Sequence, residues 1–485
     1  MNEAGGRAIE MRHGNKKNPY IYGLFKKFSM VKRLFITCFF AIIFFQAAAW
    51  SEHPMLARPA LAGMGLWDEI DPAEAKHLKT FLLETENNLE PFLARHEHWA
   101  RTNLPHYQPG PDDLAFRAGG DTTDIVVRFF QAIRINPNMQ MPLYLHLLPG
   151  EPAGNRNHAN SLVITADRNA ESLHRPTHIR LLEGEKIDPL DVLVTANDEP
   201  DYGFDLGLFA DNQTEYGARY GFGKQPFGNP NLAYSSQAPF HMAFYHEPGI
   251  VYRFAPELNR TFLDYRVNLF RELSVFAFNN DQQYWGWRFL GWSMHYAGDI
   301  TMPYHSKPLP GYSTSRMLWI NLKAILGFPR EVQDAVQLVS NRHTAMEAYQ
   351  RQEFRQAYLA KNFSHPFFRA LAIPKFPVPF SKNFIRTYAS YGAARQSAHT
   401  DMVLANHLPG HMVSDPSIEV SEMPQLNNLA MLVHSEQGRE SAETLNAMIA
   451  ERLSAYSMTI RALLTSVVQE TGMTQVQDPA ARGGT

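Results

Sequence analysis

Leu290–His305 reads LGWSMHYAGDITMPYH, and the interpretation of the whole chain turns on this stretch. His295 and Asp299 are four residues apart. On a helix that spacing stacks both side chains on one face, with about 5–6 Å between Cβ atoms. Pro303 ends the helix, and His305 follows on the turn. One segment thus offers two imidazoles and a carboxylate, ligand types that zinc accepts. Just upstream, Trp285, Phe289 and Trp292 form an aromatic stripe at helical spacing. That stripe reads as core, anchoring the helix so that the ligands keep fixed angles.

Alone, a His–Asp pair four apart is an ordinary surface pair. Here the pattern recurs. Downstream, His343 and Glu347 are again four apart in a helical context. Upstream, Asp198, Asp201 and Asp205 share one irregular loop, and His241 and His246 lie amid aromatics. The chain has 20 histidines and one cysteine, so a metal site must use imidazole and carboxylate.

Further out lies an address. Met30-Val31-Lys32-Arg33 precedes the apolar run Leu34 to Ala49, with Ala47 and Ala49 placed for cleavage before Trp50. This is the pattern of a secretory signal peptide, residues 30–49, preceded by an upstream extension, residues 1–29. Its apolar run is short of the ~20 residues of a membrane span. Cleavage predicts an exported chain, periplasmic or secreted, that begins Trp50-Ser51-Glu52-His53. The freed α-amino group and carbonyl of Trp50 can chelate a metal together with His53. Residues 50–485 carry 37 basic and 46 acidic side chains, net −9, a balance that disfavours gripping nucleic acid by overall charge.

The composition, 45% hydrophobic and 19% charged, is globular and excludes disordered, collagen-like and coiled-coil chains. Periodicity predicts a mainly α fold. Helices are expected over 55–100, over 261–300 (two, divided near Asn279-Asn280-Asp281), over 316–360 and through much of 385–470. Loops are expected over 101–123, 151–160 and 198–250, a strand at Ser161–Thr165, and a Pro-rich break at 373–379. The expected organisation is a catalytic region over 50–370 with inserted loops, and a C-terminal helical extension, 371–485, packed on it.

Taken in order, these pieces resemble the zinc-dependent phospholipase C and S1/P1 nuclease family, in which HYxGDxxxPxH is typical and the mature N-terminal Trp binds zinc through its backbone. The resemblance covers about 195–350 plus 50–53. It implies a helical core around two to three zinc ions, with large insertions. One ion would take His241 (or His246), His295 and Asp299, bridged by Asp198 or Asp201. A second would take His305, His343 and Glu347, and a third Trp50, His53 and Asp299. Asp198 or Asp201 would also orient the attacking water. The implied activity is phosphodiester hydrolysis, phospholipase C-like, with an S1/P1-type nuclease or a non-catalytic zinc-binding exported protein as alternatives. The substrate would be a phospholipid or other phosphodiester, nucleic acid included. Transient membrane-surface contact would accompany a lipid substrate, and no obligate protein partner is implied. Aromatics of the 202–245 loop (Tyr202, Phe204, Phe209, Tyr216, Tyr220, Phe222, Phe227, Tyr234) suit a head-group pocket, base stacking or simple packing.

Overall fold

The computed structural model describes residues 50–166, 177–230, 234–372 and 378–473. The extension, the signal peptide and most of the Pro-rich break lie outside the described residues. The described chain is mainly helical, with two small antiparallel sheets. None of its helices is long and apolar enough to cross a membrane.

The principal helices are α1 (His53–Leu61), α2 (Leu78–Asn103), α3 (Ile125–Ile133), α4 (Pro189–Ala196), α5 (Leu263–Phe278) and α6 (Gln283–Asp299). They continue with α7 (Pro303–Ser306), α8 (Thr314–Ile325), α9 (Arg330–Leu359), α10 (Pro366–Ala372), α11 (Tyr391–His407) and α12 (Gly438–Thr471). Strands β1 (Ala73–Glu74) and β4 (Lys186–Ile187) pair with Ala73 opposite Ile187. Strands β2 (Tyr144–Leu147) and β3 (Thr177–Arg180) pair with Tyr144 opposite Arg180. The run Ser161–Thr165, expected as a strand, instead forms one helical turn at Ser161–Ile164. So short an apolar run carries no period to tell the two apart.

α6 is the centre of the molecule. Every residue from Tyr284 to Asp299 is buried, which explains why its sequence is apolar around the whole circumference. It returns antiparallel to α5 through a turn in which Asp281 takes a left-handed φ of 58°. Two glycines let other helices come close. A Cβ at Gly291 would lie 2.7 Å from the Ala196 side chain and from the Leu193 carbonyl, so α4 packs directly on α6. A Cβ at Gly298 would collide with the Tyr456 ring of α12. The first contact delivers the 197–205 loop to the end of α6. The second brings the last helix to the same place. Two polar side chains of α6 share one buried carboxylate: Arg288 pairs with Glu199, and Trp292 Nε1 donates to it at 2.5 Å.

α1 and α9 close the other sides. Tyr358 donates to the Met55 carbonyl at 2.7 Å, tying the end of α9 to α1. The stretch 371–485, expected as a packed extension, contributes α11 and α12, both of which pack into the shared core.

Two buried histidines away from the ligand candidates carry a pH prediction. Burial pushes His96, stacked among Phe92, Trp99 and Tyr265, down to about 4. Burial does the same to His178, also about 4. The unfolded chain protonates both near 6.5, so between pH 6.5 and 4 it binds more protons than the native state. Stability therefore falls as pH drops through that window, by up to about 3 kcal/mol per histidine. Thermal unfolding followed from pH 7 to 4 should show this slope, to which the other buried, depressed histidines also add, and His96→Phe should make it shallower. An unchanged slope in that variant would show that His96 is not responsible.

Candidate metal centre

α6 presents His295 and Asp299 on one buried face, as their spacing requires. Asp299 is the hub. Its Oδ1 lies 3.1 Å from His53 Nε2 at the start of α1. Its Oδ2 lies 2.7 Å from His241 Nδ1 and 3.4 Å from His295 Nε2. Asp201 closes the group, with Oδ1 3.4 Å from His295 Nε2. Beside these, His343 Nε2 and Glu347 Oε1 are 2.8 Å apart on α9, and the His305 and His343 rings meet edge to face at 5.2 Å. Three sets of side chains lie close enough to share a cation: His53, His295 and Asp299; Asp201, His241 and His295; His305, His343 and Glu347.

The outer nitrogens of three imidazoles are held from behind. His295 Nδ1 is 2.8 Å from the Asn197 carbonyl oxygen. His305 Nδ1 is 3.0 Å from the His241 carbonyl oxygen. His241 Nε2 is 3.4 Å from Asp205, whose carboxylate is fixed by Arg266 at 2.6 Å and by the Tyr296 hydroxyl at 2.5 Å. Such acceptors fix the tautomer and aim the other nitrogen forward, the usual support of a metal-binding histidine. Because His295 Nδ1 is engaged, Nε2 is its one ligand atom. The two sets that contain His295 would therefore suit one ion held by His295 and a second held by His53, with Asp299 presenting one oxygen toward each side.

The donors suit zinc in kind, being imidazole nitrogen and carboxylate oxygen. The fit also shows in what the protein leaves unsatisfied. His53 Nε2, Asp201 Oδ1 and Asp299 Oδ1 are buried with no hydrogen-bond partner, a cost that a cation removes.

Protonation shows the same demand for positive charge. Burial favours a neutral Asp299, yet the adjoining imidazoles of His295, His241 and His53 hold its carboxyl well below the usual range. Burial acts against a charged His241, but its bonds to Asp205 and Asp299 outweigh this and lift it to about 10. Without a metal, protons on imidazole balance the aspartates. The α9 half is different. Burial and His305 press His343 well below its ordinary value, while burial and Asp201 raise Glu347 well above its own.

Of the sequence candidates, His53, Asp201, His241, His295, Asp299, His305, His343 and Glu347 come together. The open choices resolve geometrically. His241 joins the group, whereas His246 sits apart against the Tyr391 ring. Asp201 faces the group with its side chain 21% exposed. Asp198 stands behind it, accepting the His53 N–H at 3.2 Å and the Tyr202 hydroxyl at 2.8 Å. Burial and the neighbouring Asp201 raise Asp198 to about 7. Trp50 is fully buried, its indole donating to Thr301 at 3.1 Å, two residues past Asp299. The supports Asp205, Asn197 and Tyr456 are not among the sequence candidates. Asp205 has a visible signal, lying four residues after Asp201. Tyr456, which donates to the Asn197 side chain at 2.8 Å, has none.

Most of the loop aromatics are packing residues. Phe204, Phe209, Phe222 and Phe227 are buried, and Phe209, Phe222, Phe240 and Phe262 form one ring cluster. These rings offer no face to a head group or a base, whereas Tyr216 is half-buried and lines a cavity with Asn136, Asn138 and Leu206. Comparison with protein-family models, with curated proteins and with solved structures finds no match.

Proposed function

We propose that this chain is an exported, zinc-dependent phosphoesterase of the phospholipase C and S1/P1 nuclease kind, acting as a phospholipase C-like enzyme on phosphodiesters. The observation that carries the reading is the set of three imidazoles, each pinned from behind and turned toward shared carboxylates. Asp299 presents an oxygen to either side and Asp201 adds a carboxylate that solvent reaches, features that a purely structural ion would not need. His53, Asp201, His241, His295 and Asp299 would hold two ions, the Trp50 backbone completing one of them once freed. His305, His343 and Glu347 would hold the third.

Bound zinc would supply positive charge that polarises a phosphoryl oxygen and acidifies the attacking water. The residues do the rest. Asp201, which solvent reaches, orients the water and draws its proton. The water oxygen bonds to phosphorus as the ester P–O bond breaks, and the proton taken by Asp201 passes to the leaving oxygen. The buried Asp299 and His241 keep bulk water from the far side, where a low dielectric strengthens every charge interaction. The net charge of −9 beyond residue 49 favours lipid over nucleic acid.

The test is elemental analysis of chain that begins at Trp50, followed by hydrolysis of bis(p-nitrophenyl) phosphate, phosphatidylcholine and single-stranded DNA. Two to three zinc ions per chain with hydrolysis of phosphatidylcholine is the expected result. Absence of zinc overturns the proposal. Zinc without hydrolysis of any diester would leave a binding protein, and preferential DNA cleavage would move the enzyme to the nuclease branch.

A further inference from the structure

The segment joining His305 to His343 has no part in the metal centre, yet it is the most unusual surface on the molecule. On α8 and the turn after it, Trp319 is 56% exposed, Leu322 44%, Leu326 66% and Phe328 69%. Trp319, Leu322 and Leu326 follow helical spacing, so they share one outward stripe. The opposite stripe, Met317, Ile320, Asn321 and Ala324, is buried and anchors the helix. Four large apolar side chains on one short stretch exceed the scattered exposure of an ordinary surface.

The charge is as distinctive as the apolarity. From Ile300 to Arg330 there is no acidic residue and there are four Lys/Arg, in a chain that is acidic overall. Lys323 lies over the Trp319 ring at 5.4 Å, and Arg316 over the Tyr312 ring at 4.8 Å. The acids that answer this charge all lie outside the segment: Glu247 pairs with Lys307, Glu331 with Lys323 and Asp334 with Arg330. The turn itself stands clear. Gly327 takes a φ of 96°, and no atom lies within 4 Å of where its Cβ would be. Leu326 and Phe328 flank it on a projecting tip.

We propose that α8 and the Leu326-Gly327-Phe328 tip dock the protein on a lipid surface that contains anionic head groups. A projecting tip fits a soft interface, into which Leu and Phe can sink, better than the flat face of a second protein. Trp beside Lys and Arg is the composition of a helix lying at a membrane interface. Arg316 is exposed, and Lys323 and Arg330 sit in surface pairs that are worth little, so these three can meet lipid phosphates while the apolar area supplies most of the burial. The tip adjoins the start of α9, roughly 20 Å along that helix from His343. Docking therefore holds the metal centre near the surface without burying it. This inference deepens the phosphoesterase reading and rests on it for its purpose, though docking itself needs no turnover.

The experiment is co-sedimentation of the chain that begins at Trp50 with vesicles of phosphatidylcholine mixed with phosphatidylglycerol. It is run for the wild type and for the double variant Trp319→Ser, Phe328→Ser. Hydrolysis of soluble bis(p-nitrophenyl) phosphate and the oligomeric state in solution are measured alongside. The wild type should bind the vesicles, and the variant should bind at least about tenfold more weakly with soluble-substrate hydrolysis unchanged. No vesicle binding by the wild type, equal binding by the variant, or a stable dimer that the variant dissolves would each overturn the docking proposal. Vesicle binding with no hydrolysis of either substrate would support docking and defeat the phosphoesterase reading instead.

Discussion

Asp299→Asn is expected to abolish both metal retention and hydrolysis. Asp299 is the single side chain that meets His53 with one oxygen and His241 and His295 with the other. An amide presents one neutral acceptor and one donor, so it cannot bridge two cations, and it leaves the surrounding imidazoles without their shared counter-charge. Zinc content should fall by two ions per chain, leaving at most the one on His305, His343 and Glu347. Hydrolysis of a soluble diester should fall by roughly 10³-fold or more, the scale on which removal of a direct electrostatic contributor acts. Elemental analysis and kcat/KM on the same preparation check both. Full activity in this variant would disprove the assignment of the site.

Asp205→Asn should have the second largest effect, and of a different kind. Asp205 does not join the set that would hold the ions. It stands behind His241 and neutralises Arg266, which is completely buried and also donates to the Ile133 and Arg134 carbonyls at 2.9 and 2.7 Å. Removing one partner of a buried ion pair leaves an uncompensated charge, at a cost of about 3–5 kcal/mol. The Tm should fall clearly even in metal-free protein. Zinc affinity should weaken by about 10–100-fold, the usual consequence of losing the acceptor behind a ligating histidine. Competition with a chelator and thermal unfolding with and without zinc separate the two effects. A variant with normal zinc affinity would show that Asp205 serves Arg266 alone.

What the sequence made legible was the local part of the site. His295 with Asp299, and His343 with Glu347, are four apart on helices, and helical geometry alone puts each pair on one face. The split of α5 from α6 at Asn279-Asn280-Asp281 was readable for the same reason, since polar residues interrupt a continuous apolar period. The loop carboxylates were legible as a group but not one by one. Asp198, Asp201 and Asp205 lie in irregular backbone, where spacing does not fix direction, and only packing of α4 on Gly291 turns Asp201 forward and Asp198 back. Acceptors supplied by backbone leave no trace in a sequence at all: the carbonyls of Asn197 and His241 belong to any residue type. The aromatics of 202–245 offered three readings because a ring in a loop has the same letter whether it packs or binds. Burial decided for packing in most of them. α8 was readable as a helix, but which of its apolar residues face outward depends on where α9 lies.

The reach of α12 has a consequence for how the molecule comes into being. The side chains around the centre are drawn from Trp50 to Tyr456, and their bonds join residues 251 and 259 positions apart, as in Trp50 to Thr301 and Asn197 to Tyr456. Contacts of such separation form late and slowly. A chain still emerging from the ribosome holds α6 but lacks the ring that packs on Gly298, so it cannot yet enclose a cation. For an exported, metal-binding chain as proposed, synthesis, passage across the membrane as an open chain, collapse and metal capture would follow in that order, the ion arriving last in whatever compartment the finished chain occupies.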